Sequence, residues 1–458
     1  MNVGITSLSP QAEAAYLLTL PAIRERCSRV FDLTQTGGPG LQYFKYNPEK
    51  EKDVVAFCEQ IIKRDFGTDF ASIPPHGRWR HLDAGRPRIE PLIAQWKSSE
   101  NPPDDKEICK RLIDLFLVSV LLDAGAGSQW VFTEKGYDQQ YNRSEGLGVA
   151  SVHMFVEGFF SADKAQPFRV DSQGLSNITV EQSAHAMQVS DTNPMVGLEG
   201  RTSLLQNLSN ALKSKPKFFG EDARPGNLIG IAHTTHYTSY AELINEFVDF
   251  LEGHSILEDS TRRVDISFLW GALIEGLTPI WPARTSLGGI PLGDVWPCTA
   301  LKRDGETEGN CLVPFHKLTG WITYSLIEPM EKILKWKFEG VETMTGLPEY
   351  RNGGLLIDLG VLTLRREAFS PAVFSQSTEI PRIPPSHPAV VEWRAMTVIG
   401  LDRIATALRL KHNLRADQLT LAQVLESATW KGGREIAKQK RPETGGPPID
   451  IESDGTVF

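Results

Sequence analysis

The sequence predicts a mainly α-helical protein with a minor β element. Apolar residues recur at steps of three and four along most of the chain, which is the spacing that places them on one face of a helix. Alternation of apolar and polar residues, which is typical of strands, is much weaker. No G-x-G-x-x-G, Walker A, H-E-x-x-H or G-x-S-x-G motif occurs, and this disfavours nucleotide-cofactor enzymes and α/β hydrolases.

Ten segments carry the helical spacing of apolar residues. They cover about residues 10–28, 50–64, 105–122, 201–213, 239–252, 264–277, 316–334, 350–359, 387–411 and 419–440. The strand candidates are Gln166–Val170, Ile178–Val180 and Met187–Val189, which predict a small sheet or hairpin in the 130–190 region.

The length of 458 residues is consistent with one large, mainly helical module spanning residues 1–458. The alternative is a division into an N-terminal part, 1–200, with helices and the small β element, and a helical half, 201–445, with the candidate catalytic motif. A tail, 446–458, would follow, and the whole stretch after Arg441 is predicted to be a surface extension.

Composition and charge exclude several classes of protein. The net charge of −9 disfavours a broad nucleic-acid surface, which needs clustered lysine and arginine. The five cysteines are odd in number and no pair has C-x-x-C spacing, which favours a reducing compartment. No signal peptide is evident, and the longest apolar run, Leu115–Leu122, is too short to cross a bilayer. A cytoplasmic protein without membrane or nucleic-acid partners is expected.

The segment Leu347–Gly354 is the strongest candidate for a catalytic site. Glu349 lies two residues from Arg351, and a carboxylate beside a guanidinium stays ionised. Gly353 and Gly354 are poor helix residues at the start of an apolar helix, so they require close packing or the approach of a ligand to the backbone. The alternative interpretation is a surface ion pair at the start of a helix.

Two further motifs combine charge with glycine or tryptophan. Asp123 ends an apolar helix and precedes Gly125, Gly127 and Trp130; it is either a site residue or a cap on the next turn. Arg78 and Arg80 flank a tryptophan, which suits a phosphate beside a flat group. The alternative for this second motif is a solvated basic loop.

Other polar residues stand where a ligand could reach them. Arg201 follows a glycine at a predicted helix start, which is an anion site or simply a cap. A later helix carries His316, Lys317 and Tyr324 within about two turns, which suggests that it lines a pocket. In a long apolar helix Glu392 and Arg394 cannot both face solvent on one side, so at least one points inward.

A metal site is not expected. His233 and His236 have H-x-x-H spacing, but no third ligand stands at a convincing distance along the chain. We therefore predict neither a metal nor another cofactor.

These motifs together resemble the fungal and bacterial uracil-catabolism protein family, long catalogued as a domain of unknown function. The resemblance extends from about residue 15 to about residue 445. It rests on the order of seven segments: His76–His81, Leu121–Trp130, Asn193–Arg201, Ile280–Arg284 with Leu292–Trp296, Val313–Pro329, Glu349–Gly360 and Glu392–Arg394.

Three of the segments are also similar to the queuosine 5′-phosphate N-glycosylase family. They are Leu122–Ala124, Glu349–Gly360 and Glu392–Arg394. This resemblance implies a helical core like that of DNA glycosylases. It also implies that Glu349 occupies the position of that family's catalytic aspartate, with a side chain one methylene longer.

The two resemblances imply an N-glycosidase that acts on a ribose 5-phosphate derivative, with ribosylurea 5-phosphate as the expected substrate and urea as the expected leaving group. Glu349 would stabilise charge at the anomeric carbon, Arg351 would hold it, and Asp123 or Asp294 would bind hydroxyls or water. Candidates for the proton donor to the leaving group are Tyr324 and His316. The predicted phosphate contacts are drawn from Arg78, Arg80, Arg201, Arg284, His316 and Lys317, and the further substrate contacts are Trp130, Trp281, Asn352 and Arg394.

Two other classes of function remain open from the sequence. One is a metal-dependent amidohydrolase acting on an open-chain ureide, and the other is a non-catalytic scaffold for pathway enzymes. The oligomeric state is not predicted.

Overall fold

The computed structural model describes residues 9–35, 37–123, 125–127, 129–230, 250–281, 284–303, 305–374 and 379–452. Within these ranges the protein is mainly α-helical with short strand pairs, which confirms the predicted fold class. The helices are α1 (Pro10–Leu17), α2 (Leu20–Asp32), α3 (Glu51–Phe66), α4 (Trp79–Leu82), α5 (Ile89–Lys97), α6 (Asp105–Leu121), α7 (Arg143–Val156), α8 (Ser172–Ser176), α9 (Val180–Ala186), α10 (Leu198–Ser214), α11 (Pro216–Phe219), α12 (Phe250–Gly253), α13 (Ile266–Leu277), α14 (Lys317–Leu334), α15 (Tyr350–Asp358), α16 (Pro388–His412), α17 (Leu421–Val424) and α18 (Trp430–Lys440).

The strands are short and form small separate sheets. They are β1 (Phe44–Tyr46), β2 (Val131–Glu134), β3 (Gln139–Asn142), β4 (Ser255–Glu258), β5 (Thr261–Asp265), β6 (Ser286–Leu287), β7 (Ile290–Pro291), β8 (Val295–Pro297), β9 (Leu312–Pro314), β10 (Lys337–Glu339), β11 (Leu362–Leu364), β12 (Arg382–Ile383) and β13 (Asp450–Ile451). In the described part of the chain β10, β5 and β4 form a three-stranded sheet, and the other strands pair as β1–β11, β2–β3, β6–β7, β8–β9 and β12–β13.

Helix α6 lies at the centre of the core. Asp104 caps its start by accepting a hydrogen bond from the backbone N–H of Glu107 at 2.7 Å. From Leu112 onward its side chains are almost completely buried, and α14 packs along it. The apolar run predicted as a helix is therefore the central helix, because residues on all its faces meet protein. Helix α15 packs on α18, and α16 packs on α2.

Several predicted elements differ in the structure. The first predicted helix is two helices, because the chain turns at Leu18 and restarts with Pro21 in the first turn of α2. The hairpin of the 130–190 region exists, but it is β2–β3 rather than any of the three predicted strands. At the second of those strands, Thr179 forms a capping box with Gln182 and starts α9. The predicted helix 239–252 lies largely outside the described residues.

Helix α7 was not predicted, because glycines interrupt its pattern. A Cβ on Gly148 would lie 2.6 Å from the carbonyl oxygen of His81, so α7 and α4 touch through their backbones. Gly146 is similarly close to the carbonyl oxygen of Tyr141, at 2.8 Å. The glycines that weaken the helix signal thus allow the contact that brings α7 against α4.

The described part of the segment after Arg441, residues 442–452, does not extend from the surface as predicted. Its strand β13 pairs in parallel with β12, with Asp450 opposite Arg382, and Ile449 is fully buried. Residues 442–452 therefore form a strap across the protein. None of the described helices is long and apolar enough to span a membrane.

Candidate functional site

A cavity of about 720 Å³ opens where α4, α6, α7, α14, α15 and α18 meet the strap. Both polar and aromatic side chains form its wall. The described residues that line it are His76, His81, Asp123, Gly125, Ala126, Gly127, Arg143, Ser144, Val196, Lys317, Trp321, Leu347, Glu349, Tyr350, Arg351, Ile380, Arg382, Trp430, Thr444, Gly446, Pro447, Asp450 and Ile451. A concave site of this size with converging polar groups is suited to a small molecule.

Glu349 lies in the cavity wall as the N-cap of α15. Its carboxylate accepts hydrogen bonds from the backbone N–H groups of Arg351 at 2.6 Å and Asn352 at 2.7 Å. The side chain is buried, and burial raises its pKa, whereas these two N–H groups and the charge of Lys317 oppose the rise. A buried carboxylate held this firmly can face a developing positive charge without reorganising.

Lys317 approaches the same region from the first residue of α14. The loop before it is fixed because the carboxylate of Asp294 accepts a hydrogen bond from the Lys317 backbone N–H at 2.9 Å. Burial lowers the pKa of the Lys317 ammonium, and the charges of Glu349 and Asp123 oppose that effect. The ammonium therefore interacts with both carboxylates of the cavity.

Asp123 follows the end of α6 and pairs with a buried arginine. Its Oδ2 lies 2.7 Å from Nη1 of Arg78, whose Nε donates to the hydroxyl of Ser119 at 2.8 Å. Burial opposes ionisation of Asp123, but the charge of Arg78 and a hydrogen bond from Ser144 keep its pKa below the usual value. Asp123 is thus held as a carboxylate in the cavity wall.

His81 is a neutral member of the wall at physiological pH. Its side chain is 4 % exposed, and burial together with the charge of Arg78 lowers its pKa to about 4. Its Nδ1 has no hydrogen-bond partner among the described residues. A buried polar atom without a partner costs free energy unless a ligand or water satisfies it, so this nitrogen is a candidate position for either.

The low pKa of His81 predicts a stability change in mild acid. The unfolded chain takes up a proton near pH 6.5, whereas the folded protein does so only near pH 4, so the free energy of unfolding falls as the pH falls through this window. The His81 contribution is about 3 kcal/mol. Denaturation of wild type and His81→Gln at pH 7.5 and pH 4.5 measures it. The variant should lose less stability in acid, and an equal loss would contradict the assignment.

Four flat side chains form a ring box at one end of the cavity. The ring of His76 lies 4.6 Å from that of Trp321 and 5.4 Å from that of Trp430, measured between centroids. The ring of His81 lies 5.6 Å and 5.4 Å from the same two tryptophans. The four rings pack against one another at contact distance, and the surfaces that they turn toward the cavity can pack against a planar group.

An irregular turn positions one side of the ring box. Residues Leu425–Thr429 form a π-helical turn between α17 and α18, immediately before Trp430. From this turn Glu426 reaches His76, and its Oε2 lies 2.6 Å from Nδ1 of that ring. Single π-turns inside helices are frequent at functional sites, because they redirect side chains.

Two guanidinium groups meet where the strap crosses the cavity. Nη1 of Arg351 donates to the carbonyl oxygen of Gly445 at 2.9 Å, and Nη2 of Arg143 donates to that of Thr444 at 2.8 Å. Both groups lie beside Gly445, because a Cβ built there would also lie 3.7 Å from Nη2 of Arg143. Burial, and then the charge of Arg351, lower the pKa of Arg143. Like charges held together form a site for an anion.

Comparison with known proteins assigns the family. The sequence matches the family described as "Protein of unknown function (DUF1688)" over residues 16–458. The chain belongs to this family. It is 43 % identical over 457 residues to "Uracil catabolism protein 4" of Lachancea kluyveri, covering 97 % of this chain and 98 % of that protein. It is 41 % identical over 447 residues to "Protein urg3" of Schizosaccharomyces pombe, again covering 97 % and 98 %.

In this DUF1688 protein four of the residues predicted for the site line one cavity. They are Glu349, Arg351, Asp123 and Lys317. Arg78 supports them from behind, through Asp123. The predicted need for close packing at Gly353 is also explained, because a Cβ there would lie 2.6 Å from Nε1 of Trp393.

Asp294 and Arg394 are paired away from the cavity lining. Nη1 and Nη2 of Arg394 each lie 2.7 Å from one carboxylate oxygen of Asp294, and both side chains are largely buried. Asp294 also accepts from Nε1 of Trp296 at 2.7 Å, and the charge of Arg394 holds its pKa well below the usual range. Glu392, two residues away, is buried and accepts the backbone N–H groups of Gln42 and Tyr43.

Other predicted phosphate ligands are also absent from the described lining residues. Arg80 pairs with Glu328. Arg201 is buried and donates to the carbonyl oxygens of Leu122 and Val196. The guanidinium of Arg284 lies over the ring of Trp296, with its carbon 5.6 Å from the centroid. These contacts fix the scaffold around the cavity.

The two predicted proton donors are turned away from the cavity. Nε2 of His316 lies 2.9 Å from the backbone carbonyl oxygen of Leu17. The hydroxyl of Tyr324 donates a hydrogen bond to the backbone carbonyl oxygen of Thr345 at 3.1 Å.

Three more predicted contacts do not line the cavity. Nε1 of Trp130 donates to the carbonyl oxygen of Met187 at 2.9 Å. Nδ2 of Asn352 donates a hydrogen bond to the backbone carbonyl oxygen of Leu347 at 3.0 Å. The indole of Trp281 packs beside Gly293, where a Cβ would lie 3.6 Å from the ring.

Several lining residues were not predicted from the sequence. Four of them lie inside motifs that the sequence analysis singled out: His76, His81, Trp321 and Tyr350. Their aromatic rings were the feature of the sequence that could have indicated a role in the cavity wall. Arg143 and Ser144 stood in no such motif, because α7 was not predicted. Trp430 lies on a helix that was predicted and Arg382 lies on β12, but neither stood in a recognised motif. Among the described residues no group of three or more His, Cys, Asp or Glu side chains is placed to hold a metal ion. His233 and His236 lie outside the described residues.

Proposed function

We propose that this protein is a hydrolase of uracil (pyrimidine) catabolism that cleaves the N-glycosidic bond of a ribose 5-phosphate derivative. The proposed substrate is ribosylurea 5-phosphate, and the products are urea and ribose 5-phosphate. The observation that carries the proposal is one cavity that combines the buried carboxylate of Glu349 with the adjacent cations of Lys317, Arg143 and Arg351. The name of the Lachancea kluyveri relative, "Uracil catabolism protein 4", supports the pathway.

The reaction makes a positive charge at the anomeric carbon. The C1–N bond breaks with its electron pair going to nitrogen, water adds to C1, and a proton moves to the leaving nitrogen. Glu349 faces the cationic carbon in this scheme. Burial raises its pKa, and the two backbone N–H groups and the charge of Lys317 favour the ionised form that the scheme requires. Asp123, anchored by Arg78, accepts hydrogen bonds from ribose hydroxyls.

The phosphate is assigned to the paired guanidinium groups at the strap. Arg143 is the first residue of α7, and Asn142 before it makes no side-chain cap. The first-turn N–H groups of this helix, Arg143 and Arg351 together provide donors and positive charge for a dianion. This assignment replaces most of the cations that the sequence suggested.

The proposal predicts hydrolysis that depends on the phosphate. Purified protein should release urea and ribose 5-phosphate from ribosylurea 5-phosphate, and kcat/KM for the dephosphorylated ribosylurea should be lower by about a hundredfold or more. Arg143→Gln should reduce that preference at least about tenfold, because a charge-assisted contact is lost. The matched control is Arg415→Gln, which removes an exposed arginine paired with Asp417. No release of either product over hours would refute the proposed reaction.

A further inference from the structure

We propose that the ring box binds the leaving group and that His76, positioned by Glu426, protonates the leaving nitrogen. This inference rests on the proposed function, and it names the aglycone subsite and the general acid. The chemical class that the box accepts is a planar, conjugated ureido group. Departure of urea needs such an acid, because an unprotonated ureide anion is a poor leaving group.

The contacts of His76 leave one ring nitrogen for a ligand. Nδ1 lies 2.6 Å from Oε2 of Glu426, so the carboxylate fixes the orientation of the ring and favours a proton on Nδ1. The other nitrogen, Nε2, belongs to a ring that lines the cavity between two tryptophans. An imidazole oriented by a carboxylate in this way is the arrangement that proton-transfer catalysts use.

The box stands next to the position assigned to the anomeric carbon. Trp321 and Lys317 are four residues apart on α14, so they lie on the same face about 6 Å apart along the axis. Lys317 interacts with Glu349, and Trp321 contacts the ring of His76. A ribose held at Glu349 would therefore direct its nitrogen substituent into the box.

His81 connects the box with the sugar-binding residues. It contacts both tryptophans, and it lies close enough to the Asp123–Arg78 pair to be affected by both charges. Its ring lines the cavity, so it adds a flat surface beside the bound ureido group. The box is thus continuous with the polar part of the cavity.

The other acids near the cavity are less suitable for this step. His316 and Tyr324 use their polar atoms for backbone carbonyl oxygens. Tyr350 lies beside Arg351, with the guanidinium carbon 4.8 Å from its ring centroid, and therefore at the phosphate end. His76 has an imidazole that Glu426 orients, and it lies where the leaving group is expected.

The reaction neither gains nor loses a proton overall. Imidazolium of His76 gives its Nε2 proton to the nitrogen as the C1–N bond breaks, and urea leaves as a neutral molecule. The water that adds to C1 releases one proton, which restores the imidazolium. No oxidant, reductant or other co-reactant is required.

Comparison of two leaving groups tests the inference. The substrates are ribosylurea 5-phosphate and 4-nitrophenyl β-ribofuranoside 5-phosphate, whose nitrophenolate departs without protonation. His76→Gln should lower kcat/KM about a thousandfold for the first substrate and less than about tenfold for the second. Glu349→Gln should lower both, because stabilisation of the cationic carbon is common to them. His185→Gln, which changes an exposed histidine on α9, is the matched control.

If His76→Gln does not fold, substitution of Glu426 tests the same role independently. As a positioning residue, Glu426→Gln should slow the ribosylurea reaction about tenfold or more and spare the nitrophenyl reaction, and Glu426→Asp should restore part of the loss. Equal loss on both substrates in a folded variant, or no loss on ribosylurea, would overturn the role of His76. Wild-type protein inactive on both substrates would instead overturn the proposed function and, with it, this inference.

Discussion

Replacing Glu349 with glutamine is expected to lower kcat/KM for ribosylurea 5-phosphate by about a thousandfold or more. The substitution removes the negative charge that faces the cationic carbon but retains the size of the side chain. The carboxylate accepts two backbone N–H groups at the start of α15, and glutamine can still accept with its one oxygen. The free energy of unfolding should therefore change by only about 1 kcal/mol. Steady-state kinetics and denaturation measure the two effects separately.

Glu349→Asp is the matched control for charge. Aspartate caps a helix well and retains the carboxylate, but its side chain is one methylene shorter. It should fold, and its rate should lie between those of wild type and Glu349→Gln. A Glu349→Gln rate within about threefold of wild type would remove Glu349 from the chemistry.

Replacing Arg394 with methionine is expected to destabilise the protein by about 3–5 kcal/mol. The guanidinium is 2 % exposed and binds both oxygens of Asp294, so its removal leaves a buried carboxylate without its counter-charge. Nε of Arg394 also donates to the carbonyl oxygen of Pro348, the residue before Glu349, at 3.3 Å. Chemical denaturation of the variant measures the loss.

The double variant Arg394→Met with Asp294→Asn identifies the source of that loss. If the uncompensated carboxylate dominates, the double variant should be more stable than the sum of the two single changes predicts. Additive effects, or a loss below about 1 kcal/mol in Arg394→Met, would show that the pair is not important for stability.

The parts of the fold predicted from sequence are those with strong local signals. Helices α6, α14 and α15 have a clear helical spacing of apolar residues, and the structure forms them at nearly the predicted residues. The same helices carry Lys317 and Glu349, and Asp123 lies just beyond the end of α6. The two central carboxylates, Glu349 and Asp123, and two cations of the cavity, Lys317 and Arg351, were therefore within reach of sequence reasoning.

The rest of the site depends on contacts between distant parts of the chain. The bond between His76 and Glu426 spans 350 residues, and no local pattern indicates it. Arg143 was missed because the glycines of α7 reduce the helix signal while they allow close packing against α4. The sequence predicts a surface tail at the strap, because its polar composition resembles that of a surface segment. In the structure, the buried side chain of Ile449 and the pairing of β12 with β13 hold the strap in place.

Asp294 and Arg394 show the opposite error. Charged residues in apolar surroundings suggest a functional site, but a bidentate pair with backbone and indole donors satisfies both groups without a ligand. Sequence identifies that such residues need partners, and only the structure shows that they partner one another.

The fate of the ureido carbon tests the central claim most directly. Ribosylurea 5-phosphate labelled with ¹³C at the ureido carbon can be followed by ¹³C NMR during incubation with the wild-type protein. Cleavage of the N-glycosidic bond predicts that all of the label appears as urea, together with ribose 5-phosphate, and that Glu349→Gln slows its appearance about a thousandfold or more. Label appearing as bicarbonate, with release of ammonia, would mean attack on the ureido carbonyl and would contradict the claim.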